Sequence, residues 1–195
     1  MQLRQMVMAD AHELARARRG ETGPAPETGG PGRREMWHEA MTQDGFRVLL
    51  LTRLRESVRR THVPLANHLL RMVTRVLYGI EVGTEVTLGH GINFSHTVGT
   101  IIGGSSVIGD RVQFMGNNTV GTAKDNGYPI IEDDVVIGCG ARILGPIRIG
   151  AGAVIGANAV VLVDVPAGST ATGIPATISD STYKHPPITL VASSD

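Results

Sequence analysis

Cysteine is nearly absent: Cys139 is alone in 195 residues, which excludes a disulfide framework and any zinc site built from several thiolates. Aromatics are scarce as well, at 4% of the chain with a single tryptophan. Large rings normally supply much of a core's buried area, so the core here must be built from something smaller. No charge of one sign dominates, since 18 basic residues balance 18 acidic ones, and the electrostatic case for nucleic-acid binding falls away. No apolar run approaches the roughly 18–20 residues that span a bilayer. The first residues, Met1-Gln2-Leu3-Arg4-Gln5-Met6, lack the apolar centre of a signal peptide. A soluble, cytoplasmic protein with no membrane or nucleic-acid partner is the expectation, with length enough for one domain and an accessory segment.

What is present is unevenly placed. Thirteen of the basic residues, all arginine, precede Gly79 and face eight acids there, leaving that stretch at +5 and the remainder at −5. Such a split suggests two parts with different jobs. A short helix is expected around Met8–Arg18, followed by a Gly/Pro-rich stretch at 19–35 that cannot bury a face and reads as a flexible linker. Phe46, Leu50, Leu54 and Val58 recur every fourth residue up to Pro64; Leu65, Leu69, Val73 and Val76/Leu77 form a second stripe that Gly79 ends. An arginine-rich helical pair could meet a nucleic acid, but the plainer reading is solvated arginines around an apolar seam.

From Gly79 onward the period changes to six. Ile131, Ile137, Ile143, Ile149, Ile155 and Val161 form one series; Val135, Ala141, Ile147, Ala153, Ala159 and Val165 form another, two residues earlier in each unit. Upstream, Val82, Leu88, Phe94, Ile102, Ile108, Phe114 and Val120 keep the same phase, with a slip of two extra residues just after His96. Fixed short repeats signal a solenoid. A six-residue unit supplies one short strand and one corner, so three units close a triangular coil of 18 residues. Inward aliphatics then stack about 4.8 Å apart, with Gly, Asn and Asp at the corners. The chain divides accordingly into an N-terminal segment and linker (1–35), a helical subdomain (36–78), a parallel β-helix (79–177) and a tail (178–195).

The hexad pattern resembles that of the hexapeptide-repeat acyltransferases, whose β-helix is left-handed. Within that group the chain is similar to the serine O-acetyltransferases. The likeness is densest in Gly79-Ile80-Glu81-Val82, Phe94-Ser95-His96, the run Val136 to Gly145, and Asp164-Val165-Pro166 through Gly173-Ile174-Pro175-Ala176. It implies a mainly β protein, a left-handed parallel β-helix behind a short α-helical segment, that moves acetyl from acetyl-CoA directly to the hydroxyl of a small, serine-like acceptor. His96 would be the general base, a role that suits an imidazole titrating near working pH. Its partner carboxylate would be Glu81, standing where the family carries an aspartate 15 residues before the histidine. Ser95, Asn117 and Tyr128 would line the acceptor pocket. Gly121, Thr122, Cys139 and Ala157 would border acetyl-CoA, with backbone donors near Gly121–Thr122 for the oxyanion. No metal is implied.

Departures from the family fall on the acceptor side. Its loop arginine is gone from Asp125-Asn126-Gly127-Tyr128-Pro129, Tyr128 stands where a histidine would be, and Ser95 replaces an aspartate. Acceptors other than serine therefore stay open, as do an amine acceptor and another acyl donor. The resemblance implies a homotrimer with sites between subunits, and a hexamer if the helices join trimers. The terminal Ala192-Ser193-Ser194-Asp195 lacks the isoleucine used to dock into cysteine synthase, so that complex is not expected. Two rivals remain. A zinc enzyme on this fold needs several converging histidines, while the solenoid offers only His90 and His96, six apart and on successive faces. A non-catalytic scaffold or binding module would keep the coil and lose the reaction.

Overall fold

The computed structural model describes residues 3–18, 42–60 and 64–180. The linker expected at 19–35 and the last residues of the tail, from 181, lie outside the described residues.

Among the described residues, three helices precede the solenoid: α1 (Leu3–Arg18), α2 (Asp44–Arg60) and α3 (Pro64–Tyr78). The first starts five residues before Met8. Proline at the start of α3 lacks an N–H that the helix could not use there. Gly79 ends it, with φ +62° and its N–H on the Arg75 carbonyl at 3.2 Å, a left-handed C-terminal cap that costs glycine least.

Short parallel strands then wind around three faces. The first face stacks Glu81–Val82, Ile101–Ile102, Thr119–Gly121, Arg142–Leu144 and Val160–Val161. On the second lie Thr87–Leu88, Val107–Ile108, Ile130–Ile131 and Arg148–Ile149, and on the third Asn93–Phe94, Gln113–Phe114, Val136–Ile137, Val154–Ile155 and Thr170–Thr172. Inward residues stack by register: Val82, Ile102, Val120, Ile143 and Val161 form one column, each at most 2% exposed. The wide third face holds Phe94 and Phe114, stacked with ring centroids 5.3 Å apart. The second six-residue series is buried too, at the inner side of the corners.

The register deviates from 18 at three places. Glu81 pairs with Ile101, so the first coil carries the two extra residues that follow Phe94. Thr119 pairs with Arg142, which places five extra residues in the loop 121–129. Ile149 bridges to Val165 and Val154 to Thr170, so the last coil is two residues short. Val165 thus stands in the strand column above Ile149, not in the corner series where the six-residue count places it. The coil ends in a hairpin, with Thr177–Ser179 antiparallel to Thr170–Thr172.

Two helical expectations change. Leu54 is 39% exposed, and the second stripe turns mostly outward, with Leu65, Leu69, Val76 and Leu77 all more than half exposed and Val73 partly buried. Two of the arginines read as solvated are buried instead, Arg53 at 1% and Arg55 at 6%. Along the strands of this coil N–H groups donate toward the next coil, as from Gly83 to the Ile102 carbonyl at 2.7 Å, so the carbonyls that close the first coil's strands face away from any neighbouring strand. Arg55 donates to the Val82 and Gly83 carbonyls at 2.6 and 2.8 Å. Arg53 donates to Leu88 O at 3.0 Å and to Gly89 O, while a bidentate pair ties it to the buried Asp10 of α1 at 2.9 and 3.1 Å. On the third face Gly45 lies so close that a Cβ there would come 2.4 Å from the Phe94 carbonyl oxygen. All three faces are thus covered by α2, which brings donors to the buried carbonyls of the first two.

Candidate active site

The corner leading from the third face to the first is made of residues that tolerate left-handed backbone. Gly99, Asn117, Gly140 and Asn158 stack there with φ of +75°, +51°, +77° and +57°. Their N–H groups donate one coil down, to Gly79 O, Val98 O, Gly116 O and Cys139 O at 2.8–3.1 Å. Cys139 and Ala157 both occupy the exposed position just before this column, one coil apart, as their spacing predicts.

His96 belongs to the two-residue excess of the first coil at this corner and is exposed. Space for it comes from the coil above: a Cβ on Gly116 would lie 2.8 Å from the His96 Cβ, and Gly116 has φ +116°. Gly116 is itself held, since its N–H donates to Oδ1 of the fully buried Asn118 at 3.0 Å, whose Nδ2 donates to Gly138 O at 2.7 Å. Ser95 lies beside His96 and accepts a hydrogen bond from Gln113 Nε2 at 3.1 Å. Asn117 stands one coil above, its carbonyl taking a donor from Arg142.

Glu81 is on the first face, and no hydrogen bond or ion pair joins it to His96 among the described residues. Its Oε1 accepts from Arg71 and, at 2.6 Å, from Arg75, two α3 residues one turn apart. The Arg71 hydrogen bond first, and the Arg75 bond with both positive charges behind it, outweigh partial burial and hold the Glu81 carboxyl below its ordinary range.

The remaining predicted residues gather at the opposite edge of the first face. Gly121 ends the strand Thr119–Gly121 and has open space where a Cβ would stand; Thr122 starts the loop. Tyr128 returns over the coil below with its ring on Gly104, where a Cβ would lie 1.9 Å from the ring. Below this edge a cavity of about 230 Å³ is lined by Arg71, Glu81, the turn Gly83-Thr84-Glu85, Ile101, Ile102, Gly103 and Gly104. The chain therefore brings together His96, Ser95, Asn117, Cys139 and Ala157 at one corner, and Gly121, Thr122 and Tyr128 at the other. Sequence reasoning missed Gly116, Asn118, Arg71 and Arg75. The i, i+4 spacing of the two arginines on a helix was the available signal.

A family model described as bacterial transferase hexapeptide (six repeats) matches residues 128–162. A serine acetyltransferase of Synechococcus elongatus is 37% identical over 134 residues, 67% of this chain and 55% of that protein, so the chain spans little more than half that relative's length. A serine acetyltransferase of Helicobacter pylori strain 26695 is 36% identical over 146 residues, 73% of this chain and 85% of its own length. A solved serine acetyltransferase in complex with CoA superposes with a TM-score of 0.74 at 30% identity, covering 91% of this chain and 69% of the other. The solenoid is accordingly the left-handed parallel β-helix of these acyltransferases. With a coil built on a six-residue repeat, a histidine on its irregular corner and a relative matched over most of its length, the chain belongs to the serine acetyltransferase family.

Proposed function

We propose that the protein transfers acetyl from acetyl-CoA to the hydroxyl of L-serine or a closely related β-hydroxy amino acid. The carrying observation is the exposed His96 imidazole, standing on a bulge for which Gly116 leaves room. A neutral imidazole accepts the acceptor's hydroxyl proton as the oxygen attacks the thioester carbon. The tetrahedral oxyanion takes backbone N–H donors near Gly121–Thr122, and its collapse breaks the carbon–sulfur bond while the imidazolium returns its proton to the departing CoA thiolate. Both arginine contacts of Glu81 fall on Oε1, which leaves Oε2 to accept the imidazole N–H and fix the tautomer. Cys139 and Ala157 border the pantetheine arm; Ser95, Asn117 and Tyr128 border the acceptor.

The His96 corner and the Tyr128 edge lie on opposite sides of one face, so the working unit is a homotrimer in which one copy's corner meets the next copy's edge. Hexamers through the helices are the larger alternative.

Free thiol released from acetyl-CoA, measured with L-serine, homoserine, threonine, hydroxy acids and amino sugars, tests the reading. Turnover with L-serine is expected, falling about 10²- to 10⁴-fold in His96→Ala. Absence of turnover with every acceptor, together with no acetyl-CoA binding, would leave the non-catalytic scaffold.

A further inference from the structure

The cavity beneath the Tyr128 edge has an unusual charge arrangement for its size. At about 230 Å³ it falls below the usual range of small-molecule pockets and admits a small metabolite, not a coenzyme. Its helical wall is Arg71. The guanidinium gives Nη2 to Glu81, and no other partner is recorded for it among the described residues. Nε is buried without a hydrogen bond, a costly state for a charged donor group. The exposed Glu85 also lines the cavity, on the turn that starts at Gly83. The half-exposed Ile101 lines it too, with Gly103 and Gly104, the latter directly under the Tyr128 ring.

A phosphate or dicarboxylate entering here would meet two carboxylates, Glu81 and Glu85; a simple amine would meet Arg71. A ligand bearing both signs a few ångströms apart satisfies both walls. We infer that this cavity binds the charged end of a small α-amino acid, with Arg71 receiving the carboxylate and Glu85 the ammonium, and that it selects the acceptor by these two groups. Planar guanidinium–carboxylate pairing supplies direction as well as charge. Tyr128 then bounds the side-chain end of the ligand. The loop 121–129 contains no arginine, and α3 supplies the guanidinium that the loop does not.

The inference rests on the acetyl-acceptor reading, and binding separates the two. Calorimetric titration of the full chain without acetyl-CoA would compare L-serine with glycerate, which lacks the ammonium, and with ethanolamine, which lacks the carboxylate. L-serine is expected to bind more tightly than either. Arg71→Gln should erase its advantage over ethanolamine, a loss of roughly 10- to 100-fold for a charge-assisted pair, with Arg71→Lys intermediate. Glu85→Gln should erase the advantage over glycerate. Arg75→Gln is the control, because it removes the other Glu81 contact without lining the cavity, and it should keep both preferences. Equal losses in Arg71→Gln and Arg75→Gln would overturn the inference, since Arg71 would then act only through Glu81. Unchanged discrimination in Arg71→Gln and Glu85→Gln would overturn it too. If thiol release fails with every acceptor while serine binding still needs Arg71 and Glu85, the cavity stands and acetyl transfer does not. Turnover of serine with KM unaffected by Arg71→Gln gives the reverse.

Discussion

Gly116 and His96 are 20 residues apart and within contact distance only because the first coil is two residues too long. A methyl group at Gly116 has nowhere to go: the backbone φ of +116° already disfavours any side chain, and His96 stands 2.8 Å away. Gly116→Ala is expected to push the imidazole off its position and lower kcat by at least about tenfold, with KM for acetyl-CoA little changed. A misplacement of about 1 Å can cost about 100-fold. Steady-state kinetics, with circular dichroism to verify folding, checks it; full activity would show that His96 does not need this geometry. His96 was legible from the slip in the hexad phase. Gly116 was not, because among 25 glycines only the register reveals which one faces the histidine. Glu81 was found by correspondence with the family, but its arginines escaped notice because their i, i+4 spacing places them on one helix face without naming the coil residue that face meets.

At the scale of elements, the helices were legible as helices and misread as surfaces. Spacing located α2 and α3 to within a few residues, yet polarity alone assigns arginine outward. The open carbonyls of the first coil reverse that rule for Arg53 and Arg55. Arg53→Ala is expected to destabilise the protein by about 3–5 kcal/mol, as losing one partner of a buried ion pair does, because Asp10 and the Leu88 and Gly89 carbonyls lose their donor together. Arg47→Ala, in the same helix with a half-exposed partner pair at 3.0 Å, should cost under about 1 kcal/mol. Urea titration separates the two. The docking of α3 carries a pH signature. Because the Glu81 carboxyl is held below its ordinary value in the folded protein, its contribution is complete above that ordinary value and disappears as pH falls through the depressed one. Its pairs with Arg71 and Arg75 are partly exposed, so the effect is about 1 kcal/mol or less. The stability difference between wild type and Glu81→Gln should therefore shrink toward zero on acidification; a difference independent of pH would mean that Glu81 contributes by packing alone.

The whole molecule was the most legible scale, since dozens of positions repeat one rule. The slip after His96 was visible, but the shortening of the last coil stayed hidden: it moved Val165 into another column because counting by six assumes constant length. Continuous columns also make the core cooperative. Ile143, fully buried between Val120 and Val161, sits mid-stack, and Ile143→Ala should cost about 2–5 kcal/mol in a single unfolding transition; a biphasic melt would show that coils unfold separately. The guanidinium groups beneath the first coil have a consequence of another kind. A solenoid with N–H groups at one end and carbonyls at the other is its own template, and identical copies could add head to tail without limit, as unpaired strand edges do. Arg53 and Arg55 occupy the acceptors such growth would use, while the terminal hairpin blocks the other end. They act as a stopper against fibre formation. A chain beginning at Gly79 should elongate into filaments visible by electron microscopy and light scattering, where the intact chain stays dispersed.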